Sequence, residues 1–108
     1  MTDQQPDTPA TKAELNQQTA TVAWNELIKH FARGVVIYVD NNLDLIDVAH
    51  HVTADNVKYI EACLADGSLR RATDDDAKDW NLRTPDFWCV VAAPWVLIQE
   101  RIYSEDVH

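Results

Sequence analysis

Between Leu43 and Thr73 the chain spells two short helices, a tight turn and a strand, which is the order of a helix-turn-helix. Leu45, Val48, Ala49 and Val52 recur at the spacing of one helix face. Thr53 stands where it would cap a further helix, whose inner residues are Val57, Ile60, Ala62 or Cys63, and Leu64, with Gly67 as its stop. The charge on this segment opposes the partner that its order suggests. Asp44, Asp47, Asp55, Glu61 and Asp66 stand against only Lys58, Arg70 and Arg71. A helix that reads a DNA groove needs cations, because counterion release from phosphates supplies most of the binding free energy.

The flanking sequence completes an alternation of helices and strands. Thr11 and Glu14 have the spacing of a capping box, and the helix they open carries Ala20, Trp24, Leu27, Ile28 and Phe31 along one stripe. Arg33 in the last turn and Gly34 at the stop predict a single helix running from Thr11 to Gly34. Val35 to Val39 is a continuous β-branched and aromatic run, expected of a strand buried on both faces, and Asp40-Asn-Asn42 is a turn. Leu69 to Ala72 reads as a short strand. Thr73 followed by three aspartates then starts a helix reaching about Leu82, the acids lying against the positive end of its dipole. Phe87 to Ala92 and Trp95 to Ile102 read as two strands around Ala93-Pro94, where Pro94 cannot donate to a ladder. The order is helix, strand, helix, helix, strand, helix, strand, strand. It predicts one α+β domain over residues 11–103, winged-helix-like, with the helix Asp74–Leu82 inserted where the wing would stand. Val35–Val39 is expected to be central and Leu69–Ala72 to lie at an edge. Residues 1–10, with Pro6 and Pro9, are expected to be a disordered leader, and residues 104–108 a flexible tail.

Size and composition narrow the function classes. A chain of 108 residues makes one domain, burying roughly 65% of its unfolded surface. Only two glycines, Gly34 and Gly67, exclude a glycine-rich phosphate loop or a dinucleotide fingerprint. The net charge of −9 disfavours nucleic acid and anionic membranes. No run approaches the roughly 18 apolar residues of a membrane span. No basic-then-apolar leader marks secretion, and Cys63 and Cys89 stand isolated in apolar surroundings as reduced core thiols do. A cytoplasmic protein is expected.

Candidate chemistry is sparse. Asp47 and His51 sit one helical turn apart and, with His50 and Asp55, could face a divalent ion. The same residues form the outward face opposite Leu45, Val48 and Val52, so a solvated face is the favoured reading, with no metal and no cofactor. Asp74, Asp75, Asp76 and Asp79 lack the glycine and closing glutamate of a calcium loop. No serine sits in a nucleophile elbow. Of the four tryptophans, Trp24 is a core anchor, whereas Trp88 and Trp95 lie on adjacent strands where one could face a partner.

Two segments, Phe31-Ala-Arg-Gly-Val-Val-Ile-Tyr-Val39 and Ala93-Pro-Trp-Val-Leu-Ile-Gln-Glu100, resemble those of a family of small bacterial proteins built on a domain of unknown function, family 2288. Leu43-Asp-Leu-Ile-Asp-Val-Ala49 and Asp55-Asn56 are similar as well, so the resemblance spans about Glu14 to Arg101. It implies a bacterial cytoplasmic protein and brings no activity, cofactor or catalytic residue. If the family shares a site, its motif residues place it at Arg33, Asp44, Asp55, Trp95, Gln99 and Glu100.

The resulting expectation is a non-catalytic module whose acidic surface suits a basic protein partner of unknown identity. Two alternatives stay open: a nucleic-acid-binding helix-turn-helix using Asn56 to Asp66 with Arg70 and Arg71 on phosphates, and a small metal-dependent enzyme on Asp47, His50, His51 and Asp55. Self-association is a further expectation. If Trp95-Val-Leu-Ile98 were an edge strand, its open backbone and tryptophan would invite a homodimer.

Overall fold

Thr11 caps a helix much shorter than the apolar stripe suggests. In the computed structural model, which describes residues 11–101, the Thr11 hydroxyl accepts from the Glu14 N–H and the Glu14 carboxylate accepts from the Thr11 N–H. This closes the expected box on α1 (Lys12–Gln18). Thr19 then turns its hydroxyl back onto the Leu15 carbonyl at 2.8 Å, and the chain leaves the helix for a strand, β1 (Ala20–Ala23). Helix resumes as α2 (Trp24–Ala32). The single helix expected from Thr11 to Gly34 is therefore two helices with a strand between them. The physical cause is a ladder to a distant strand, formed where Thr19, Thr21 and Val22 supply β-branched residues. The expected leader, residues 1–10, and the tail, residues 104–108, lie outside the described residues.

From α2 onward the elements follow the expected order. β2 (Val36–Val39) leads through the Asp40–Asn42 turn to α3 (Leu45–Thr53) and α4 (Val57–Asp66). β3 (Leu69–Arg71), the inserted α5 (Asp74–Arg83), β4 (Asp86–Ala92) and β5 (Trp95–Glu100) complete the domain. The cap of α4 is Asn56, whose Oδ1 accepts from the Tyr59 N–H, and Thr53 is instead the last residue of α3. Asp55, with φ 57°, makes the reversal between the two helices, a conformation that short polar side chains tolerate. Gly67 stops α4 at φ 85°, as its lack of Cβ allows. Thr73 caps α5 with Asp76 as the reciprocal member of the box.

The five strands form one mixed sheet in the order β1-β4-β5-β2-β3. β5 runs antiparallel to β4 and parallel to β2, and the outer pairs are antiparallel. β3 is a short edge, as expected. β2 has a neighbour on each side, although the middle place belongs to β5. The condition set for self-association at Trp95–Ile98 is not met: both ladders of that strand are filled within the chain, so its backbone is not open to a second copy.

Alternation along the strands divides the core between two faces. On the first, under α1, α3 and α4, lie Leu15, Val39, Val48, Leu69, Val90 and Leu97. On the second, under α2 and α5, lie Trp24, Leu27, Val36, Trp80, Phe87 and Ile98. Trp80 is the centre of the second face, with ring centroids 5.2 Å from Trp24, 5.0 Å from Phe87 and 5.8 Å from Tyr38. Helices on both sides of a sheet make this an α+β domain of three layers. No described helix is long and apolar enough to cross a membrane.

Candidate functional site

The residues singled out from sequence do not converge on one point. Arg33 is the exposed C-cap of α2, its backbone N–H bonded to the Lys29 and His30 carbonyls. Asp44 caps α3 by accepting from the Ile46 N–H at 3.0 Å. Asp55 is the left-handed corner described above. Gln99 and Glu100 are adjacent on β5 and so point to opposite faces. The Gln99 amide donates to the Asp40 carbonyl at 3.0 Å and the Leu43 carbonyl at 2.7 Å, pinning the turn that feeds α3. The Glu100 carboxylate meets the forked guanidinium of Arg83, which also holds Asp79. That network ties the end of α5 to the end of β5, and Asp79 and Glu100 together raise the Arg83 pKa. Asp44 and Gln99 do line one shallow hollow with Trp88, but each already serves the local chain.

Two members of the alternative metal set, Asp47 and His51, are engaged in local contacts. One Asp47 oxygen accepts from the Lys12 ammonium at 2.9 Å, while the other lies 3.7 Å from His51 Nε2. The Asn56 amide donates to His51 Nδ1 at 3.0 Å, and the imidazole stacks on Tyr59 with ring centroids 3.7 Å apart. Among the described residues no group of three or more His, Cys, Asp or Glu side chains is placed to hold a metal ion. Burial, with Cys63 alongside, pushes the Tyr59 hydroxyl up to about 12, so it stays neutral and serves packing. Burial also pushes the Cys89 thiol up, and both cysteines are free.

What the structure brings together instead lies on the first face, where α4 meets the edge of the sheet. Ile37, Ile60, Leu64, Leu69 and Leu97 line an apolar groove of about 190 Å³, with exposed Arg71 and half-buried Trp95 beside them. The Arg71 guanidinium lies 5.4 Å from the centre of the Trp95 ring, a cation–π contact. Leu64, 51% exposed, continues the apolar lining onto the surface of α4. Arg70, next in line, faces the other way: it stands over Tyr38 and is ion-paired to Asp76. Trp95 is thus the one motif residue that belongs to the groove. Trp88, 39% exposed, lies elsewhere under the Arg101 guanidinium, 4.5 Å from its ring centre.

The family described as protein of unknown function (DUF2288) matches residues 10–100. The chain belongs to the DUF2288 family. The NMR solution structure of PA1075 from Pseudomonas aeruginosa is similar to it, with a TM-score of 0.77 and 39% sequence identity over 99% of this chain and 100% of that one. No curated protein matches the chain.

In this DUF2288 domain the groove went unread in the sequence because its lining, which also includes Val52 of α3, comes from five separate elements. A signal was present all the same: Val57, Ile60 and Leu64 recur at i, i+3 and i+7 and so form one apolar stripe along α4. On the opposite face, Asp76 gives the fold a pH dependence. Its partial burial acts to raise its pKa, but the Arg70 guanidinium and the Thr73 N–H and hydroxyl overcome this and hold the carboxyl below the usual range. A depressed carboxyl contributes stability that is complete above its unfolded pKa of about 3.9 and is lost as pH falls through the lower folded value. Asp76→Asn should therefore be less stable near neutrality and show a flatter loss below about pH 4 than the parent. Parallel pH curves in thermal melts of the two proteins would contradict that assignment.

Proposed function

We propose that this DUF2288 domain is a non-catalytic interaction module of the bacterial cytoplasm that docks a segment of a partner protein at the α4–β3 margin. The observation that carries this reading is the apolar groove lying beside an edge strand, with Leu64 and Val57 each 51% exposed on the same helix. Exposed apolar surface beside strand backbone that pairs with no described strand is the combination used in strand-addition binding. The net charge of −9 favours a partner that is basic overall, and it speeds encounter more than it tightens the complex. Free Cys63 and Cys89 suit a reducing compartment.

Leu64→Lys tests the groove. The position is half exposed, so the substitution should change stability by no more than about 0.5 kcal/mol. Affinity recovery with the parent and the variant as baits, compared by mass spectrometry, should yield a partner with the first and not the second. The same partner recovered equally by both would remove the groove from its binding.

A further inference from the structure

We infer that the segment docked at β3 presents on one face an acidic residue followed, two positions later, by an apolar one; this rests on the docking role proposed above. The ladder between β2 and β3 sets the geometry. The Asp40 N–H donates to the Ser68 carbonyl at 2.8 Å and the Ala72 N–H to the Val36 carbonyl at 3.1 Å. Tyr38 and Arg70, aligned midway between those bonds, therefore form a hydrogen-bonded pair, and Arg70 uses its backbone groups on β2. Leu69 and Arg71 turn their N–H and C=O groups the other way, where the sheet ends.

Both residues send their side chains to the first face. Leu69 is buried in its core, and Arg71 lies beside the groove over Trp95. A strand added antiparallel to β3 would bond to those outward groups. Side chains alternate along it, so the residues opposite Arg71 and Leu69 are i and i+2 on that same face. The residue opposite Leu69 meets the apolar lining and exposed Leu64, which favours leucine or valine. The residue opposite Arg71 meets a guanidinium that has no carboxylate partner among the described residues, unlike Arg70 with Asp76 and Arg83 with Asp79 and Glu100. A carboxylate matches that forked donor set. The residue between them points to the second face beside Arg70, whose charge is already met, and is free to vary.

A second copy of this chain fits the edge poorly. Two-fold pairing about Arg70 would set each Arg71 opposite a leucine, place two arginines face to face, and bring together two chains of charge −9. The same net charge opposes a strongly acidic ligand at long range. The segment that fits has one acid among neutral or basic neighbours.

The test is a nuclear magnetic resonance titration of the full chain with the blocked peptide acetyl-Thr-Glu-Thr-Leu-Thr-amide and its versions with Gln for Glu or Ser for Leu. The Glu-Leu peptide should shift the backbone amides of Leu69 and Arg71 and the Trp95 indole N–H. At low salt the Gln version should bind about fivefold more weakly, and Arg71→Gln should abolish that preference. The Ser version should lose binding to the parent and the variant alike. Equal affinity of the parent for the Glu and Gln peptides would overturn the acid preference and leave docking at β3 standing. Unmoved Leu69 and Arg71 amides with every peptide at millimolar concentration would overturn both.

Discussion

Trp80→Ala is expected to cost the fold about 3–5 kcal/mol, the largest loss of any single truncation in the second face. Trp80 is 2% exposed and packs at once against Trp24, Tyr38 and Phe87, which come from three different elements. Alanine would leave a cavity bounded by aromatic rings held on a sheet, and such surroundings cannot collapse far to fill it. The substitution would also release the main apolar anchor of α5, a helix whose sequence is mostly polar and whose buried residue is Trp80. Urea unfolding followed by far-ultraviolet circular dichroism reads the effect as a lower midpoint with an unchanged slope. A loss under about 1 kcal/mol would mean that α5 does not pack against the sheet as described.

The next largest effect is expected at Gln99, a residue that packing alone would not single out. Gln99→Leu keeps the size of the side chain and removes the donor that serves the Asp40 and Leu43 carbonyls. Leaving part-buried acceptors without a partner costs roughly 1–3 kcal/mol, and here the loss falls on the turn that positions the Asp44 cap of α3. Its neighbour supplies the contrast. Glu100→Gln should cost about 1 kcal/mol at most, because its partner Arg83 is 46% exposed and still holds Asp79. Thermal denaturation of the two variants side by side separates the roles, and equal losses would contradict them.

The features legible in the sequence are those fixed by neighbours a few residues away. The box at Thr11–Glu14, the helix start at Thr73, the stop at Gly67, the turn at Asp40–Asn42 and the strand read at Val35–Val39, observed at Val36–Val39, all follow from local chemistry. β1 was hidden because Ala20, Trp24 and Phe31 also satisfy a helical period, and what makes Ala20–Ala23 a strand is its pairing with Phe87, Trp88 and Cys89 far along the chain. The same limit left open whether Trp95–Ile98 is an edge: hydropathy reports that a strand is buried, but not which strands flank it. Thr53 and Asn56 are both good caps, and the left-handed corner at Asp55 decides between them. Arg33, Asp44 and Asp55, singled out as motif residues of the resembled family, serve helix ends and a corner instead of the groove. Arg71 was not legible, since its standing as a cation without a carboxylate among the described residues depends on which acids the fold assigns to Arg70 and Arg83.

The place of β5 in the sheet bears on how this protein must be made. Without that strand the sheet is two separate ribbons, β1 with β4 and β2 with β3, and a two-stranded ribbon has little stability in water. Among the described strands, β5 is also the last to be synthesised. Until it emerges, the helices already synthesised have no finished surface on which to bury their apolar sides, so the nascent chain must wait with both faces of its future core open. Short outer strands and a surplus of acids are what keep a chain in that condition apart from its neighbours. The acidity first met as an obstacle to binding DNA is, for the growing chain, a protection against aggregation during its own synthesis.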